Sequence, residues 1–271
     1  MSGSTLWFIG ISLSLPLAWL AGCRMGRTPD ATRRGVYLGV AVGVMILWAW
    51  LIRHPAVAVN VIPLSVLARL EGVGAAPVFM FVVGIAWSFG QLKRQRAIVV
   101  VAVLLATGYF YRGGFWMLQQ TPVGVFADET HPLEIRQSQD YSCVPAACAT
   151  TLQLLHVETN EAEMARLTET RPGSGATLIR ALHGLKLRLA DEGIEAQLIS
   201  SDYEQLRALS PPMLTPLQYE PARLHMVTIL QIDEHQVTLV DPVAGPERLS
   251  RQEFESLYRG QVIAFESVSD R

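Results

Sequence analysis

The chain has 271 residues, is 50% hydrophobic and only 17% charged, and its mean hydropathy of +0.28 is too high for an ordinary soluble protein. The net charge of −2 hides an asymmetry: residues 1–118 carry ten Lys/Arg and two Asp/Glu, and residues 119–271 carry twelve and twenty-two. A basic apolar half joined to an acidic polar half reads as a membrane region followed by a soluble domain, and the acidic half lacks the basic surface that nucleic-acid binding requires.

In chain order, apolar stretches over 6–22, 35–52, 75–90 and 97–118 predict about four transmembrane helices, each near the ~17–25 residues that cross a bilayer. The third is short and contains Pro77. The apolar segment from Pro55 to Leu70 holds Asn60, Pro63 and Arg69 and reads as a loop or interfacial helix. Leu20-Ala21-Gly22-Cys23 looks like a lipoprotein cleavage box, but no Lys or Arg precedes the apolar stretch and several arginines follow it, so Cys23 is expected simply to end a helix. The first connection carries Arg24, Arg27, Arg33 and Arg34, and the third Lys93, Arg94 and Arg96. The positive-inside rule places these in the cytoplasm, which with four spans puts the C-terminal domain outside a cell membrane that the chain crosses several times.

Residues 119–133 have linker chemistry, with Pro122, Asp128-Glu129-Thr130 and Pro132. A domain over 134–268 is long enough to bury a core of its own. Its pattern predicts a helix from about Ser142 to Leu155 with Ser142 as cap and Pro145 in the first turn, then helices over Glu161–Leu167 and from Thr177 to Gly193. Strands are expected over Ala196–Ile199, Met213–Leu217, His225–Ile232, Gln236–Val240 and Gln261–Phe265, with short helices at Tyr203–Leu209 and Phe254–Tyr258. Helices first and strands later predict an α+β domain with an antiparallel sheet.

The two strands around Asp233-Glu234 form a hairpin, and counting eight from Asp233 in each direction gives His225 and Asp241. In that register they are direct cross-strand neighbours, and the carboxylate accepts Nδ1–H of the imidazole. A histidine so held is a base in need of a nucleophile. Cys143, at the start of a helix where the macrodipole favours a thiolate, supplies one. Gln137, six residues earlier, offers a side-chain amide for an oxyanion hole, with Gln139 the alternative. Cys148 reads as a small core residue unable to bridge to Cys143. His131, His156, His183 and His235 lie in no metal-ligand spacing, so neither metal nor cofactor is implied.

The stretch Arg-Gln-Ser-Gln-Asp-Tyr-Ser-Cys-Val-Pro-Ala-Ala-Cys-Ala-Thr, residues 136–150, resembles the catalytic motif of the bacteriocin-processing, double-glycine leader peptidases, which are papain-like. The resemblance continues in order through Gly175-Ala176-Thr177, Gly193-Ile194-Glu195-Ala196, Pro212-Met213-Leu214, His225-Met226-Val227, Asp241-Pro242-Val243-Ala244-Gly245 and Phe254 to Gly260. It implies a cysteine peptidase with Cys143 as nucleophile, His225 as general base, Asp241 as orienting acid and Gln137 as oxyanion donor. The family usually carries Gly directly after the Cys; Val144 here is expected to narrow the cleft. Familiar members are fused to an ABC transporter, whereas no Walker A motif occurs in this sequence, so a transporter partner would be a separate chain. The expected partners are a peptide substrate and the lipid bilayer, with no nucleic acid. Two other readings share these residues: a non-catalytic peptide-binding module, and an acyl transferase using the same thiol.

Overall fold

A computed structural model of the chain describes residues 3–89, 93–119, 135–220 and 223–267. Most of the expected linker, with His131 in it, lies outside the described residues, as do Gly90 and Val268 at the edges of two expected elements. The chain divides into two compact units, 1–119 and 120–271.

The first unit is helical: α1 (Gly3–Gly26), α2 (Ala31–Arg53), α3 (Pro55–Val61), α4 (Leu64–Leu70), α5 (Ala76–Phe89) and α6 (Lys93–Gly114), the last continued by a 3-10 turn over Phe115–Leu118. Asp30 caps α2 by accepting from the N–H groups of Thr32 (2.8 Å) and Arg33 (3.3 Å), and Pro55 opens α3, where its missing N–H costs nothing. Three helices, Thr5–Gly26, Ala31–Arg53 and Arg94–Leu118, are long and apolar enough to cross a membrane. The third expected span, α5, has 14 residues, about 21 Å at 1.5 Å per residue against a hydrocarbon core of about 30 Å, and falls short of a span. Small residues let it approach α1 closely. A Cβ on Gly22 would lie 2.1 Å from the Phe81 carbonyl oxygen, and one on Gly84 would lie 2.4 Å from that of Trp19. Gly26 faces Ser88 further along, so α1 and α5 run parallel. Helices α2 and α6 run the other way: the Arg34 guanidinium lies 4.9 Å from the Phe89 ring centroid, Arg96 lies 5.7 Å from that of Trp87, and Phe8 stacks on Phe110 at 5.4 Å.

The second unit begins with α7 (Cys143–Leu154), α8 (Glu161–Leu167) and α9 (Leu178–Arg188). It continues as β1 (Ile194–Ser200), α10 (Tyr203–Arg207), β2 (Met213–Glu220), β3 (Arg223–Ile232), β4 (Gln236–Asp241), β5 (Gly245–Ser250), α11 (Arg251–Leu257) and β6 (Gln261–Ser267). Local chemistry fixes the helix starts. Asn160 caps α8, Thr177 caps α9, and Asp202/Gln205 and Ser250/Glu253 form reciprocal capping boxes at α10 and α11. The six strands form one antiparallel sheet in the order β1-β6-β2-β3-β4-β5, the α+β architecture that the sequence predicts. Strand β5 was not expected. Its sequence, Gly-Pro-Glu-Arg-Leu-Ser, lacks apolar alternation because it is an edge strand, the position where Pro246 is tolerated.

Helix α7 packs on the sheet through small side chains. Ala146, Ala147 and Ala149 are fully buried, and the hydroxyl of Thr228 on β3 donates to the Ala147 carbonyl (3.1 Å) and meets Thr151 Oγ1 at 3.0 Å. A core of Tyr203, Leu206, Met213, Val227, Ile229 and Phe254 joins the sheet to α10 and α11.

Candidate active site

Cys143 is the first residue of α7, and Ser142 stands at the N-cap position. Ser142 makes no side-chain cap, contrary to expectation. A Ser cap accepts from the second or third helical N–H, and the third residue here, Pro145, has none. The Ser142 hydroxyl points instead to the buried Glu161 carboxylate at 2.6 Å.

His225 lies near the start of β3, where it pairs with Leu217 of β2, and Asp241 ends β4. His225 Nε2 and Asp241 Oδ1 are 2.9 Å apart. The contact differs from the expected one in two ways. It uses Nε2 rather than Nδ1, which leaves Nδ1 for the thiol. The two residues also do not face each other directly. The hairpin loop is held by the Asp233 carboxylate, which accepts from the N–H groups of His235 (2.7 Å) and Gln236 (3.0 Å). Pairing begins at Ile232 with Val237, and a bulge at Leu230 shifts it so that Thr228 faces Val240. Continued one step, that register sets Asp241 opposite Val227, two residues from His225. The side chains meet on a diagonal, a span that long side chains cover. The backbone N–H groups of Val243 (2.6 Å) and Ala244 (3.2 Å) also donate to Oδ1 and hold the carboxylate still.

The Cys143 thiol hydrogen-bonds His225 and receives the backbone N–H groups of Met226 and Val144. Burial pushes the thiol up, but these donors and the charge of the imidazolium outweigh it and hold it below its ordinary value. Burial pushes His225 down, and the hydrogen bonds to Asp241 and Cys143 overcome that and raise it to about 9. Asp241 is pushed up by burial and brought below the usual carboxylate range by His225 and the Val243 and Ala244 N–H groups. The three shifts favour a thiolate–imidazolium pair beside an ionised carboxylate. Cys148, fully buried, is pushed far up by desolvation and stays a thiol, as expected of a core residue.

Gln137 lines a cleft of about 340 Å³ together with Tyr219, His225, Asp241, Val243, Ala244 and Glu247. Its backbone N–H donates to the Pro242 carbonyl (2.9 Å), which ties the loop before α7 to the end of β4. One hydrogen of its side-chain amide goes to the Gln139 carbonyl (2.9 Å), and the other has no partner among the described residues. Gln139, the alternative, turns its amide to the Ser138 carbonyl (2.7 Å) and is not among the cleft residues. Val144 is buried and is not among the residues that line this cleft. Tyr219, whose ring centroid is 5.9 Å from that of His225, and Glu247 were missed, because one ends a strand and the other lies in the unrecognised β5. Among the described residues no cluster of His, Cys, Asp or Glu fits a metal ion.

Comparison with known proteins places this half of the chain. An uncharacterised protein of Methanothermobacter marburgensis is 34% identical over 136 residues, covering 50% of this chain and 89% of the relative. A second, from Methanothermobacter thermautotrophicus, is 33% identical over 136 residues with the same coverage. Among solved structures, the peptidase domain of Streptococcus ComA, a bi-functional ABC transporter involved in a quorum sensing pathway, is 19% identical with a TM-score of 0.44, covering 51% of this chain and 99% of that domain. A double glycine motif protease from an AMS/PCAT transporter, solved with its leader peptide, is 18% identical with a TM-score of 0.43, covering 55% and 99%. The sequence pattern of the Peptidase C39 family matches residues 133–270, half of the chain, and this protein therefore belongs to that family of cysteine peptidases.

Proposed function

We propose that Cys143, His225 and Asp241 are the catalytic triad of a membrane-anchored peptidase and that Gln137 completes its oxyanion hole. The observation that carries this reading is the single imidazole hydrogen-bonded to both a thiol held below its ordinary value and a fixed carboxylate. The Cys143 thiolate attacks the scissile carbonyl carbon, and the C–S bond forms as the carbonyl oxygen gains charge. The Gln137 amide and a backbone N–H at the start of α7 receive that oxyanion. His225 gives its proton to the leaving amine as the C–N bond breaks. Water, deprotonated by His225, then attacks the thioester, and the carboxylic acid product leaves with the thiol restored.

The substrate is a peptide or protein held near a bilayer by residues 1–118. The parallel run of α1 and α5 supports an even number of passes, which carries the peptidase half to the side opposite Arg24, Arg34 and Arg96. Exported or leader peptides, delivered by a separate transporter, fit that placement. The test is labelling of the full chain in sealed membrane vesicles of each orientation with a membrane-impermeant peptidyl acyloxymethyl ketone. Cys143 of the wild type should be labelled only in vesicles that expose the extracytoplasmic face, and Cys143→Ala in neither. Equal labelling of wild type and variant rejects the nucleophile; labelling from the cytoplasmic face alone rejects the placement.

A further inference from the structure

Glu161, the first residue of α8, is only 1% exposed and has no part in the chemistry described above. Its carboxylate is nevertheless aimed at the loop that carries Gln137 and Cys143. Oε1 receives the Ser138 N–H (3.0 Å) and the Ser142 hydroxyl (2.6 Å), and Oε2 receives the Ser138 hydroxyl (2.7 Å). A buried carboxylate is costly unless hydrogen-bonded, and here the bonds come from one hexapeptide loop.

The network leads to the reacting atoms by two routes. A hydroxyl has one proton, and Ser142 directs its own to Glu161, which leaves its oxygen to accept the Gln139 N–H (3.1 Å). That contact holds Gln139, whose carbonyl oxygen lies 3.0 Å from Ser142 Oγ and receives the Gln137 side-chain amide (2.9 Å). The second route concerns the helix end. A serine before a helix ordinarily turns its oxygen onto the first-turn N–H groups. Glu161 draws the Ser142 hydroxyl away, so the N–H of Val144 faces Cys143 rather than a cap.

We infer that Glu161 is a positioning residue for the oxyanion site: it orients Gln137 through Ser142 and Gln139 and keeps the first turn of α7 open to the reacting oxygen. The inference rests on Cys143 being the nucleophile. It predicts a selective defect, because a ketone probe develops an oxyanion on attack and iodoacetamide does not. In full-length Glu161→Gln, labelling of Cys143 by a peptidyl acyloxymethyl ketone should fall roughly ten- to a hundredfold, less than the ~10²–10³ of losing an oxyanion donor outright. Alkylation of the same thiol by iodoacetamide should stay within about threefold of wild type. Equal labelling by the ketone, or a proportional loss with both reagents, overturns the inference. Should Glu161→Gln not fold, Ser142→Ala removes only the bridging hydroxyl and must show the same selective loss. Wild-type protein unlabelled at Cys143 would instead refute the triad.

Discussion

Replacing Asp241 with Asn separates the charge of the carboxylate from its geometry. All three contacts of Asp241 fall on one oxygen, Oδ1: His225 Nε2 at 2.9 Å and the N–H groups of Val243 at 2.6 Å and Ala244 at 3.2 Å. The two backbone donors hold an amide oxygen in the same place, so Asn keeps the imidazole tautomer and removes only the negative charge. That charge acts on an imidazole raised from 6.5 to about 9. At tenfold per pH unit the rise, which is net of the opposing effect of burial, is a factor of roughly 300 in favour of the imidazolium, so Asp241 and Cys143 together contribute more than that. Less imidazolium around neutral pH means less thiolate there, so Asp241→Asn should lower the rate of Cys143 alkylation around neutral pH. Below the acidic inflection, where the imidazole is protonated in either protein, the rates should agree, and around neutral pH the iodoacetamide rate should fall by about tenfold or more. Above both inflections the rates should converge, because the thiol is then ionised in either protein. The assay is the alkylation rate from pH 4 to 10, with the modified peptide located by mass spectrometry. Superimposable profiles would show that the charge is not coupled to the thiol. A loss of reactivity at every pH would show that Asn reverses the tautomer, against the Oδ1 argument.

The contact between α7 and the sheet is equally open to test. Thr228→Val leaves the Thr151 hydroxyl without its partner in a buried site and takes a second donor from the Ala147 carbonyl, and should cost about 1–3 kcal/mol in chemical denaturation, whereas Thr151→Val/Thr228→Val should recover part of that loss. In the helical N-terminal half, Gly22→Ala forces a methyl into the Phe81 carbonyl and should lower the thermal unfolding midpoint in detergent, while Gly39→Ala, whose Cβ meets nothing within 4 Å, should not.

The elements of the peptidase half were largely legible because each carries its own punctuation. Thr177 before α9 and Glu161–Leu167 as α8 are set by local chemistry, and helical or alternating periodicity did the rest. What depended on non-local pairing was not legible. Eight residues on either side of Asp233 gave the correct partners by a wrong register, because a bulge at Leu230 and a loop centred beyond Glu234 cannot be counted from residue types. Ser142 was read as a cap because Ser usually is one, and only the folded position of Glu161 shows where its hydroxyl goes. Strand β5 lacked apolar alternation for the reason given above. In the helical N-terminal half, hydropathy located the helices, but the pairing of α1 with α5 rests on glycines whose use in packing is invisible without the fold.

The sheet order bears on when the thiol becomes reactive. β6, the last strand in chain order, lies in the interior of the sheet, between β1 and β2. Cys143 leaves the ribosome more than eighty residues before His225 and Asp241 have both followed. Until those strands pair, the thiol has neither the imidazole nor the Met226 N–H that draw off its proton. A nascent chain therefore carries an ordinary, sluggish cysteine, and β3, which brings both groups, switches it on.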